Sequence, residues 1–261
     1  MTIVRHELRL GKKAFAIWTA SIGFLLVVCI FLYPEMKGQM DSISTMFSSM
    51  GSFTAAFGMD KLNFGTLVGY YAIECGNVLG LGGAFFSALC AVSILCKEEK
   101  DRTAEFLLTH PISRSKIVTE KLIAVLVQVT ALNIIIFLLS VLSIAVIGES
   151  IPWKVISLLH LAFFFMQLEL SGICFGLSAF MRRGSLGVGL GLAFILYFMN
   201  LISNITESAS FLKFITPFGY CEGGQITVDL SLDTVKIIIG LAISVAAVAA
   251  AYVGYTRKDI H

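Results

Sequence analysis

An all-α membrane protein with six transmembrane helices is the fold class the sequence predicts, and three observations predict it. Of 261 residues, 57% are apolar and only 14% are charged, roughly half the ~25% charged share of an ordinary soluble domain. The 36 charged residues cluster. Between the clusters lie six apolar stretches, each close to the about 20 residues a helix needs to cross a hydrocarbon core of about 30 Å. The net charge of +2 points to neither a polybasic nucleic-acid binder nor an acidic tail. The hydrophobicity itself excludes a disordered chain.

The first span runs from about Phe15 to Tyr33, uncharged between Lys13 and Glu35, and Pro34 is expected to stop it. It is longer than a signal-peptide core and no small-x-small cleavage site precedes Pro34, so it reads as a retained span. Ahead of it Val4, Leu8, Gly11 and Phe15 recur at helical spacing, while Arg5, Arg9, Lys12 and Lys13 fall on other faces. Residues 1–13 therefore predict an amphipathic interfacial helix on the inner membrane surface. The second span covers about Tyr70 to Cys96, with Glu74 near one end and expected to face water. Leu122 to Ile147 make the third, Val155 to Phe180 the fourth, Ser185 to Ser203 the fifth and Ile237 to Tyr255 the sixth. Short connections join them, so residues 1–261 read as a single transmembrane domain. If the N-terminus is cytoplasmic, 14 of the 19 Lys and Arg lie on the inner side, which places both termini in the cytoplasm.

Two outer connections have patterns of their own. Between Pro34 and Gly69, Ile43, Met46, Phe47 and Met50 predict a helix lying on the outer surface. Met36, Met40, Met46, Met50 and Met59 there are either soft donors for Cu(I) or interfacial packing. Between Asn204 and Lys236, Phe211, Phe214, Ile215, Pro217, Phe218 and Tyr220 form an aromatic run too short to cross. It reads as a pair of re-entrant or interfacial helices, with Phe214, Pro217, Phe218 and Tyr220 as a candidate outer gate. Cys29, Cys75, Cys90, Cys96 and Cys174 lie in spans, Cys221 lies outside them, and no CxxC pair exists, so reduced packing thiols are expected.

Glu169 is the charge that most needs a reason. At 1.5 Å per residue it sits about 21 Å into the fourth span, counted from Val155, where a carboxylate costs roughly 2.5–3.5 kcal/mol. Two readings stand: a structural hydrogen bond, as a neutral acid, to Gln128, Asn133 or Asn200, or a translocation path lined by these four residues. Gly76, Gly80 and Gly83, Gly172 and Gly176, and Gly187 and Gly191 include small-xxx-small pairs that permit close helix approach, within the chain or between copies.

The inner connection from Lys97 to Lys121 holds 11 of the 36 charges and yet carries Phe106, Leu107 and Leu108. Ala104, Leu107 and Leu108 make one apolar stripe on a short helix that should end at His110, because Pro111 disfavours helix in the residue before it. Ser113 is then placed to N-cap a helix running into the third span. A solvated loop has no need of Phe-Leu-Leu, so the segment suits a knob entering a groove on another protein.

Glu99, Arg102-Thr103, Glu105, Leu107-Leu108, Pro111-Ile112-Ser113-Arg114 and Lys121 resemble the E-x-x-x-G-T-x-E-x-L-L-x-x-P-[IV]-S-R…K signature of ATP-binding-cassette type-2 exporter permeases. Arg102 stands where that pattern usually has Gly. The six-span layout, the basic amphipathic N-terminus and Pro217-Phe218-Gly219-Tyr220 before the last span are similar too. The resemblance implies that the connection is a coupling helix seated in a separate nucleotide-binding subunit, with Glu98, Glu99, Arg102, Glu105, Leu107, Leu108 and Arg114 as its contacts. It further implies two ATPase copies that bind ATP and Mg, and a second permease, identical or paralogous, meeting the first at the first and fifth spans. The setting is the bacterial cytoplasmic membrane, with membrane lipids as neighbours and no nucleic acid.

No catalytic site is expected in the chain. A Walker A loop needs G-x-x-x-x-G-K-[ST], and the only Gly-Lys pair, Gly11-Lys12, is followed by Lys13. No cofactor or metal is expected either. The apolar spans favour an amphiphilic peptide, lipid or hydrophobic drug as cargo. Sodium or copper export with Glu169 as ligand is the alternative, and a non-transporting membrane sensor or scaffold the alternative of another class.

Overall fold

Backbone amides in hydrocarbon must be satisfied within their own segment, which makes long apolar runs helical. The computed structural model describes residues 2–39, 51–56, 62–63, 65–100, 103, 112–181 and 184–258. Helices α1 (Thr2–Lys37) and α2 (Ser52–Ala56) come first. The second span is α3 (Leu67–Cys75), a π-helical stretch Gly76–Leu81 and α4 (Gly82–Val92). One turn, α5 (Lys97–Lys100), precedes the long helices α6 (Arg114–Val146), α7 (Trp153–Phe180) and α8 (Leu186–Ile205). Two 3-10 helices, Glu207–Phe214 and Pro217–Tyr220, lead to α9 (Gly223–Asp229) and α10 (Thr234–Arg257). Six helices are long and apolar enough to cross a membrane, and no strand occurs among the described residues.

Three boundaries differ from expectation. Pro34 does not stop the first span: α1 continues to Lys37 with Pro34 inside it, because a proline one turn from a helix end forfeits little beyond a single hydrogen bond. Nor do residues 2–13 form a separate helix; they run unbroken into the span, giving 36 residues and a length of about 54 Å. Val4 is buried and Leu8, Gly11 and Phe15 are half-buried, while Arg5, Arg9, Lys12 and Lys13 are exposed. That apolar stripe packs on the chain itself, with Gly11 against the Gln128 side chain. The second span ends at Val92 rather than Cys96, since Ser93 leaves helical geometry at φ −116° and ψ 1°.

Caps fix the other ends. Ser113 accepts from the Lys116 amide at 3.3 Å, as its position predicted, and Thr66 accepts from Gly69 at 3.2 Å to start α3. Asp233 accepts from the Lys236 amide at 3.2 Å, and the Lys236 ammonium holds its carboxyl below the ordinary value. Met36 lies in α1, whereas Ile43, Met46, Phe47 and Met50 of the predicted surface helix, and Met40 and Met59, lie outside the described residues.

Glycines decide how closely the helices approach. α1 and α6 run parallel, with Gly11 at Gln128 and Gly23 at Leu139. α7 and α10 also run parallel: Gly172 faces Ser244, Gly176 faces the Ala247 backbone and Gly240 faces Glu169. Gly80 and Gly83 of the second span lie on Phe163 and Gln167 of α7, which is the most enclosed of the six. From α6, Asn133 Nδ2 donates to Gln167 Oε1 of α7 at 2.8 Å. Gly191 has open space beside it. The outward surface is apolar, with Phe24, Phe31, Leu138, Ile195, Phe198 and Val245 exposed, as a lipid-facing belt requires.

A Cβ at Gly176 would lie 2.8 Å from the Ala247 carbonyl oxygen and 2.9 Å from its Cβ. Gly176→Val must therefore push α10 off α7. A loss of about 1–3 kcal/mol is expected for such overpacking, read as a lower unfolding temperature of the detergent-solubilised protein.

Candidate functional site

The charges of the basic end, which holds the start of α1 and the end of α10, fold inward on one another. Lys121 is 0% exposed, and its ammonium donates to Glu98 Oε1 at 2.5 Å, to Glu98 Oε2 at 2.6 Å and to the Ile94 carbonyl at 2.5 Å. Glu7 Oε1 stands 3.9 Å away, and the other Glu7 oxygen pairs with Lys97. A desolvated ammonium is tolerable only with such a set of oxygens around it. Beside this cluster Lys258 pairs with Glu99 at 2.7 Å and donates to the Met181 carbonyl at 2.7 Å. Arg114 donates to the carbonyls of Thr256 at 3.2 Å and Lys258 at 2.5 Å. Glu120 accepts from the Ile3 and Val4 amides at 2.9 and 3.3 Å, satisfying donors that a helix start leaves open.

A cavity of about 440 Å³ adjoins this end, within the size range of small-ligand sites. Leu10, Ala14 and Trp18 of α1 line it opposite Phe86, Leu89 and Cys90 of α4. Glu7 and Lys97 bring charge to its basic end, and Gln128 contributes an amide. Its walls are otherwise largely apolar, so it can take a hydrophobic body carrying one polar group.

At the opposite end the aromatic run turns back into the bundle. Thr216 Oγ1 donates to the Leu196 carbonyl at 2.7 Å, nine residues or about 14 Å back from the end of α8. Pro217, Phe218 and Tyr220 are buried there, with Phe218 packed edge-on against Tyr197 at 5.4 Å. Phe214 does not join them; it is 52% exposed and lies under the Lys236 ammonium. The Tyr220 hydroxyl donates to Glu169 Oε2 at 2.8 Å, and Glu169 is 2% exposed.

That contact corrects the expected partners of Glu169. Gln128 sits at the basic-end cavity, Asn133 pairs with Gln167, and Asn200 lines a separate pocket of about 70 Å³ between α8, the π-helical stretch and Glu222. Glu169 lines neither cavity. Of the implied coupling residues, Glu98, Glu99 and Arg114 have their side chains bonded within the chain. Arg102, Glu105, Leu107 and Leu108 lie outside the described residues. Sequence reasoning passed over Glu7, Lys97, Lys121 and Lys258 as site residues. The available signal was Glu7, an acid at helical spacing in the apolar stripe of a basic helix.

The six long apolar helices define a multi-pass membrane protein. The sequence model described as ABC-2 family transporter protein matches residues 1–260. The chain belongs to that family, whose permeases normally work with an ATPase subunit and are generally non-catalytic. No curated protein matches it.

Lys121→Met removes the counter-ion of Glu98 and leaves its carboxylate beside the Glu7–Lys97 pair. Breaking a buried pair in this way costs about 3–5 kcal/mol, so the variant should unfold at lower temperature in detergent, and Lys121→Met combined with Glu98→Gln should recover part of the loss. Tyr220→Phe removes the one hydroxyl bonded to Glu169 and should cost about 1–3 kcal/mol. Glu169→Gln, which keeps an acceptor for Tyr220, should stay closer to the unmodified protein in the same assay.

Proposed function

We propose that the chain is the path-forming permease of an exporter, driven by a separate ATPase subunit present in two copies. It lies in a bacterial cytoplasmic membrane with both termini in the cytoplasm, as one membrane domain. ATP and Mg are bound by the partner; this chain contributes the path and the differential contacts with cargo, and no catalytic group, cofactor or metal. Closure of the ATPase pair on ATP pulls the connection after the second span and shifts the path from inward-open to outward-open.

The cavity beside Glu7 and Lys97 is the observation that carries this reading. Its apolar walls, single amide and ion pair at the rim suit an amphiphile entering from the inner leaflet: a lipid, an amphiphilic peptide or a hydrophobic drug. The engagement of Glu169 by Tyr220 favours a structural role for that carboxyl over an ion-coupled one, and so favours amphiphile over ion export. Pro217 and the aromatics Phe218 and Tyr220, packed inside the opposite end, serve as the outer gate. A second permease copy, identical or paralogous, packs against α1 and α8, where Gly191 has open space and Ile195 and Phe198 are exposed.

Leu107 and Leu108 are the proposed apolar anchors in the ATPase cleft. Their joint replacement by alanine should lower co-purification with the ATPase subunit without changing membrane insertion, and unchanged co-purification would refute the coupling assignment. Ala14→Trp, which fills the cavity, should reduce ATP-driven uptake of a fluorescent phospholipid into inverted vesicles while basal ATP hydrolysis continues. Glu169→Gln should leave that uptake intact; its abolition would favour ion coupling instead.

A further inference from the structure

Three consecutive charged residues at the root of the 97–113 connection reach three different spans. Lys97 pairs with Glu7 of α1, Glu98 with Lys121 of α6, and Glu99 with Lys258 at the end of α10. Successive helical side chains point about 100° apart, so the single turn α5 can present one charge to each neighbour. A topogenic loop would leave these charges in water. Here the Glu98 and Glu99 side chains are only 15% and 12% exposed, and Lys121 is not exposed at all.

The far end of the connection grips the same helices. Ser113 caps α6, and Arg114, in the first turn of α6, holds the carbonyls of Thr256 and Lys258. Lys258 in turn holds the Met181 carbonyl that follows α7. Glu98 also starts the way out of the turn, its carbonyl accepting from Thr103 at 2.9 Å. Among the described residues, both roots of the connection are thus bonded to the same helices.

We propose that Glu98 and Glu99 are positioning residues that form a two-pronged anchor, through which a pull on the connection moves α6 and α10 as one body. Glu98 engages α6 through Lys121 and Glu99 engages α10 through Lys258, while Lys97 adds α1 through Glu7. This inference rests on the proposed coupling to a separate ATPase subunit, and goes beyond it by naming the residues that carry motion past the contact surface.

The test uses the full permease bound to its ATPase subunit in lipid nanodiscs, with spin labels carried by unnatural amino acids at Val235 and Ile205, exposed residues at the opposite ends of α10 and α8. Trapping with ATP and vanadate is expected to shift the label distance in the unmodified complex. In Glu99→Gln the shifted population should fall roughly fivefold or more, the range of ordinary coupling free energies, while subunit binding and ATP hydrolysis persist. The exchanged pair Glu99→Lys with Lys258→Glu should restore the shift, which a merely space-filling role does not predict. An undiminished shift in both Glu98→Gln and Glu99→Gln overturns the anchor and leaves the proposed function standing. An unmodified complex that binds and hydrolyses ATP without any shift also overturns it. Failure of the unmodified chain to bind an ATPase subunit overturns the proposed function and the anchor together. If Glu99→Gln does not assemble, the exchanged pair carries the test, and its assembly without a shift refutes the anchor.

Discussion

The desolvated ammonium of Lys121 is the constraint on which the basic end depends. A buried cation is bearable only where oxygen atoms surround it, and here they come from the Ile94 carbonyl, from Glu98 and, at 3.9 Å, from Glu7. Each supplier sits on a different piece of chain. The residue after the second span, the helical turn beyond it and the first helix are thereby fixed relative to α6. Without Lys121, Glu98 would lose its counter-ion, and α1 would lose one of its attachments to the rest. Packing alone would not replace this, since an apolar belt faces lipid that is as apolar as the protein interior. Polar contacts and glycine-permitted close approach decide which helices meet.

The same division appears at the opposite end, with other chemistry. There a tyrosine hydroxyl and a carboxyl join the segment before the last span to α7, beside the Lys213–Glu222 ion pair within that segment, and Gly240 leaves the space that the carboxyl occupies. Ion pairs occur at both ends, but among the described residues only the basic end has one with a fully buried ammonium, that of Lys121. Aromatic edges such as Tyr197 on Phe218 add to the packing at the opposite end.

The spans were legible because the bilayer imposes a length and a solvent on each of them, and composition reports both directly. The Ser113 cap was legible because capping is local in sequence. The misses have physical reasons of the opposite kind. Pro34 stands inside α1 because the cost of a helical proline depends on its distance from the helix end, which residue type does not encode. Glu169 finds Tyr220, 51 positions away, because a re-entrant segment returns to the bundle, and the depth of that return follows from Thr216 reaching Leu196 rather than from hydropathy. The π-helical stretch at Gly76–Leu81 carries no pattern distinguishable from ordinary glycine-rich helix. Glu98 and Glu99 read as partner contacts from their motif, whereas their side chains are bonded within the chain to residues 23 and 159 positions on.

The reach of those bonds bears on how the protein is made. Arg114 bonds to a carbonyl 144 positions further along, and Glu99 waits for Lys258. While the fourth and fifth spans are still leaving the ribosome, Glu99 and Arg114, at the two roots of the connection after the second span, have yet to meet their partners at the end of α10. The junction closes only after the sixth span is threaded and its end has returned to the basic side. A chain stalled or truncated within α10 would thus hold five spans and still leave Glu99 and Arg114 without these partners.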